Sequence, residues 1–198
     1  MQGGNYGIPT PWREIIQRTI PFLDAAHVSD NLGDRFAGKF HHWQPCFALG
    51  YGDIEKGKNI IFNGKTRRVS VCNAIDSVII DKDRLNNLPE LFAPLKDKSV
   101  KVYADELAYS SLEGKYPEEL LMRADEESWG TEFLDYKLSV KCVENYTEAV
   151  EHISKYSSKH SEAIITENES VAERFCKEVD AACVYCNVST AFTDGGQF

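Results

Sequence analysis

The sequence predicts an α/β fold, a largely parallel sheet with flanking helices, from about residue 70 to the last residue. Short β-rich runs alternate there with patterns of helical period, joined by brief connections. Alternation of that kind implies crossover units, whose strands run parallel. Two capping patterns ahead of helical runs add punctuation in the right places.

Ala74 to Asp81 reads as the first strand of this series, with Val78, Ile79 and Ile80 as a β-branched run. Asn87 to Lys96 follows as a helix that sets Leu88, Leu91, Phe92 and Leu95 on one face. Pro89 fits only in its first turn, which fixes the start near Asn87. Val100 to Tyr103 is a short strand and Phe133 to Val143 a longer one. Asn145, three residues before Glu148, caps a helix whose apolar face is Ala149, Val150, Ile153 and Tyr156. Ser161 to Thr166 is the next strand. Ser170 and Glu173 then form a second capping pattern, opening a helix with Val171, Phe175, Cys176 and Val179 at helical spacing. Ala182 to Val188 closes the series as a strand.

The first fifty residues have another character. They hold four of the seven prolines, Pro9, Pro11, Pro21 and Pro45, and no sustained period. Arg13 to Ala26 suits one helix, broken at Pro21.

Composition limits the classes of function. With 42% hydrophobic and 27% charged residues the chain reads as a soluble globular protein. A net charge of -9 argues against nucleic acid or an anionic membrane as partner, since phosphate binding needs clustered cations. No run approaches the roughly 18 apolar residues of a membrane span. Met1 to Thr10 lacks the basic start and apolar core of a secretory leader, so the expected location is cytoplasmic. Six cysteines are then expected as thiols, and the sequons at Asn145, Asn168 and Asn187 as chance matches.

The stretch from Asn63 to Asn73, NGKTRRVSVCN, carries the chemistry. Cys72 follows three cations, Lys65, Arg67 and Arg68, and precedes a strand. Positive charge and free backbone N–H groups favour a thiolate, the nucleophilic form of cysteine. The same cations suit an anionic substrate group such as an acyl phosphate. Pattern alone leaves a second reading open, a solvated basic turn beside a small buried hydrophobe.

Four ordered motifs resemble those of gamma-glutamyl phosphate reductases (glutamate-5-semialdehyde dehydrogenases), in the aldehyde dehydrogenase superfamily. They are KTRRVSVCNA around Cys72, Trp129 to Leu134 (WGTEFL), Tyr156 to Ala163 (YSSKHSEA) and Asn187 to Phe198 (NVSTAFTDGGQF). The resemblance covers residues 50–198 and implies the catalytic domain of the aldehyde dehydrogenase fold, with 1–49 as a segment of unknown fold that does not match. It implies that Cys72 is the nucleophile for gamma-glutamyl phosphate, a substrate of proline biosynthesis. It implies NADPH as cofactor, with Glu132 on the nicotinamide ribose. Lys65, Arg67, His160, Glu162, Ser189 and Thr190 are the residues it implies for the substrate. The cofactor domain of the complete enzymes has no counterpart in this sequence, so weak NADPH binding and little turnover are expected. A non-catalytic α/β interaction module, associating with itself or a partner through the face left exposed, is the alternative.

Two metal-like patterns carry no metal expectation. Cys183 and Cys186 lie in a strand, where residues three apart point to opposite faces. His41, His42 and Cys46 lack a second ligand pair.

Overall fold

A computed structural model describes residues 46–49 and 52–192, all of them in the unit His42–Phe198. The expected helix at 13–26, the His41–His42 pair and the turn at Asp194 lie outside the described residues.

Seven strands form one sheet in the order β4-β3-β5-β2-β1-β6-β7, and every described pairing is parallel. The strands are β1 (Cys46–Leu49), β2 (Ser77–Asp81), β3 (Lys101–Ala104), β4 (Leu121–Arg123), β5 (Lys137–Val143), β6 (Ser161–Ile165) and β7 (Cys183–Cys186). The expected α/β class, with its flanking helices, is what the chain adopts. Two features of the sheet are new. β4 is only three residues long, and β1, from the stretch that shows no period, sits in the middle between β2 and β6.

The helices are α1 (Ile54–Thr66), α2 (Leu88–Phe92), α3 (Glu106–Leu112), α4 (Tyr146–Tyr156) and α5 (Glu169–Glu178). α1 starts at Asp53, whose side chain accepts from the Lys56 N–H at 2.8 Å. Gly57, Ile61, Gly64 and Lys65 form its buried stripe. The expected helix at 87–96 is a single α-helical stretch, α2, between 3-10 turns at Lys82–Asn87 and Ala93–Lys98. Pro94 has no N–H for a continuing ladder. Leu88, Leu91, Phe92 and Leu95 are nevertheless fully buried, as the pattern predicts. They join Ile61, Val78, Ile80, Val102, Leu138 and Val140 in one core.

Three boundaries differ from expectation. β2 starts at Ser77 rather than Ala74, because 74–76 close the loop that follows α1. β5 starts at Lys137 rather than Phe133: Leu134 has φ 49° and Asp135 accepts from the Tyr136 N–H, which breaks the extended run. The cap of α5 is Asn168, whose Oδ1 accepts from the N–H groups of Ser170 and Val171, not Ser170. For α4 the expected Asn145 cap holds, with its Oδ1 accepting from the Glu148 N–H at 3.1 Å. Glu148 in return accepts from the Glu144 N–H.

Candidate active site

Parallel strands put all their N-terminal ends on one edge of a sheet. Cys72 lies in the loop before β2, Glu132 in the segment before β5, and His160 immediately before β6. In the order β5-β2-β1-β6 these strands span three spacings, about 14 Å at ~4.8 Å each. One edge thus gathers three motifs that are far apart in sequence.

The Cys72 loop is closed at its base. The Ile75 N–H donates to the Gly64 carbonyl at 3.1 Å, and the Ala74 N–H to that of Val71 at 3.0 Å. A Cβ on Gly64 would come within 2.5 Å of the Ile75 Cδ1, so close approach requires glycine there. Cys72 itself is an exposed free thiol. It is not sealed among aliphatic side chains.

Lys65 is placed otherwise than the image of three solvent-facing cations supposes. It is fully buried, and its Nζ donates to Asp76 Oδ1 at 2.9 Å. The reason is helical register. Gly57, Ile61, Gly64 and Lys65 stand at i, i+4, i+7 and i+8, so Lys65 falls on the inward stripe of α1. Arg67 and Arg68 are exposed.

Asp76 is the junction of the site. Its carboxylate accepts from the Lys65 Nζ. Its carbonyl accepts from the Ser139 N–H at 2.8 Å. Burial raises its pKa to about 6, against the pull of Lys65, and the charge of Glu132 pushes it the same way as burial. Burial likewise lowers Lys65 from its ordinary value, with Asp76 opposing. For His160 burial lowers the pKa and Glu132 opposes it. Glu132 therefore acts electrostatically on both Asp76 and His160.

Glu162 is fully buried in β6 and accepts from the Ser157 hydroxyl. His160 is half-buried, with Nδ1 3.1 Å from Ser161 Oγ. Ser189 and Thr190 reach the Cys72 loop from the far end of the chain. Thr190 Oγ1 donates to the Asn73 carbonyl at 2.9 Å, and a Cβ on Gly64 would meet Ser189 Oγ at 3.0 Å. Asn187, at φ 57°, steers this segment by binding the Thr166 backbone twice, through Oδ1 and Nδ2.

Sequence reasoning singled out neither Asp76 nor Asn187. An aspartate inside a strand-like run carries no visible sign of an ion-pair partner, and Asn187 stood only within a motif. Among the described residues no group of three His, Cys, Asp or Glu side chains could hold a metal ion. No described helix is long and apolar enough to cross a membrane.

The chain is 59% identical over 147 residues to gamma-glutamyl phosphate reductase of Legionella pneumophila (strain Paris), covering 74% of this chain and 35% of the relative. It is a partial-length homologue of gamma-glutamyl phosphate reductase. The crystal structure of that reductase from Thermotoga maritima superposes with a TM-score of 0.72 at 39% identity, over 79% of this chain and 37% of that one. Betaine aldehyde dehydrogenase from Staphylococcus aureus, 13% identical, shares the fold with a TM-score of 0.56 over 83% of this chain and 42% of that one. The fold is therefore the aldehyde dehydrogenase one. No family model matches the chain. The chain spans about a third of the length of the reductases it matches.

Proposed function

We propose that this chain carries the nucleophile-bearing part of a gamma-glutamyl phosphate reductase, an oxidoreductase of proline biosynthesis. One observation supports this above the others: Asp76, at the end of the Cys72 loop, feels the charge of Glu132 and accepts at its carbonyl from Ser139 of β5, the strand that Glu132 precedes. The Cys72 thiolate attacks the acyl carbon of gamma-glutamyl phosphate, forming a C–S bond. The C–O bond to phosphate breaks, and phosphate leaves with both electrons. Arg67 and Arg68, exposed between α1 and Cys72, are the cations proposed to receive the departing anion. The product is a thioester on Cys72, and the oxyanion that forms on the way is met by nearby backbone N–H groups.

NADPH supplies, when bound, the hydride that reduces the thioester to the semialdehyde. Glu132 fits its part, being a half-buried carboxylate beside the Cys72 loop that can accept from two ribose hydroxyls. His160 and Glu162 wall the N-terminal edge at β6, while Ser189 and Thr190 hold the loop from the other side.

Intact-mass analysis after exposure to enzymatically generated gamma-glutamyl phosphate tests this. One glutamyl adduct should form, map to Cys72 and disappear in Cys72→Ala. An adduct spread over several cysteines, or unchanged in that variant, would refute the assignment.

A second reading has its own observation. Leu134 and Tyr136 are 49% and 38% exposed, next to the stacked Tyr103 and Phe133 rings. Such a patch supports association, either with a second copy or with a partner. Sedimentation that shows a monomer at all concentrations would dispose of the self-association form.

A further inference from the structure

Away from the Cys72 edge, two other thiols face each other. Cys176, half-buried on α5, has its Sγ 3.4 Å from the Sγ of Cys186, the buried last residue of β7. Cys186 is also held toward α5, with its Sγ 3.7 Å from the Ala172 carbonyl. Helix and strand are consecutive elements, joined by a short connection and packed against each other through these side chains. Among the described residues β7 pairs with β6 alone.

We infer that Cys176 and Cys186 form a redox-active pair which a hydroperoxide closes into a disulfide between α5 and β7. The sulfurs must approach from 3.4 Å to about 2.05 Å for the bond to form. The shared hydrogen bond lowers the pKa of Cys176 and raises that of Cys186, so Cys176 supplies the thiolate. That thiolate attacks one peroxide oxygen: an S–O bond forms, the O–O bond breaks, and the departing oxide leaves as water or alcohol after taking a proton. The product is a sulfenic acid on Cys176. The Cys186 sulfur then attacks the Cys176 sulfur, the S–O bond breaks, and hydroxide leaves as water with the Cys186 proton. The thiol pair loses two electrons and the peroxide gains two.

The bond would act at a sensitive position. Asn187 follows Cys186 directly and turns the chain back toward Thr190, which holds the Cys72 loop. The pairing stands on thiol geometry alone and does not depend on the proposed reaction.

Hydrogen peroxide treatment of the full chain, followed by alkylation and peptide mapping, decides it. The expected result is a cross-linked peptide joining Cys176 to Cys186, the loss of both from the alkylatable thiols, and their return with dithiothreitol. Cys72, being exposed, is oxidised too, but mapping separates it. In Cys176→Ser, Cys186 should stay reduced under the same treatment. Sulfinic acid on Cys176 with Cys186 still alkylatable, or Cys186 linked to another cysteine in the unsubstituted chain, would overturn the inference. Neither outcome depends on whether the serine variant folds.

Discussion

Lys65 and Asp76 meet with 0% and 2% of their side-chain surfaces exposed, 2.9 Å apart. A buried charge that loses its partner retains its desolvation cost, so Lys65→Met should destabilise the chain by about 3–5 kcal/mol near neutral pH. The cost should shrink in acid, where Asp76 takes a proton and becomes neutral. Lys65→Met with Asp76→Leu should be more stable than Lys65→Met alone. Urea unfolding midpoints measure this. A double variant worse than the single would show that the pair contributes more than charge compensation. His152 makes a second residue-scale case. It is 8% exposed, its Nε2 has no hydrogen-bond partner among the described residues, and Trp129 and Tyr156 flank its ring. Burial, aided by Lys141 and Lys155, lowers its pKa to about 4 from 6.5. The unfolded chain therefore takes up this proton at a higher pH than the folded one. Its contribution is present above pH 6.5 and is lost as pH falls toward 4, by about 3 kcal/mol in full. His152→Phe should reduce the stability lost between pH 7 and pH 4.5, as read by urea titration at both values. Equal losses in the two proteins would remove His152 from the explanation.

Secondary-structure elements show what pattern reading sees and where it stops. Of the two caps read from sequence, Asn145 stands where it was expected and the other is misplaced. Asn168 caps α5, two residues before the expected Ser170, because an asparagine oxygen reaches two N–H groups of the first turn. Asn168→Ala should therefore cost about 1 kcal/mol, and Ser170→Ala clearly less, in thermal or urea unfolding. The reverse order would restore the serine cap. All three sequon asparagines have backbone work, two as caps and Asn187 as a turn. Cys72, Glu132 and His160 stood out in sequence because each lies in a motif. Lys65 did not reveal its burial because the helix before Cys72 was not recognised, although Gly57, Ile61 and Gly64 already mark the inward stripe. β4, with three residues, is too short to show a period, and β1, with four, lies in a stretch without the β-branched run that marks β2.

For the whole molecule, alternation of runs predicted the class because a parallel sheet demands a crossover after each strand. Strand order was not legible, since it depends on contacts between distant segments. β1 pairs with β2 on one side and with β6 on the other, Cys46 standing opposite both Ser77 and Glu162. During synthesis β1 therefore waits, one flank bare, until β6, more than a hundred residues further on, has emerged. Contacts of such separation slow folding and leave an open strand edge available to wrong neighbours. The thiol loop beside β2 is made well before the Thr190 hydroxyl that clasps it, which lies 117 residues beyond Asn73. A ribosome stalled ahead of β6 would hold out a reactive sulfur before its cradle is complete.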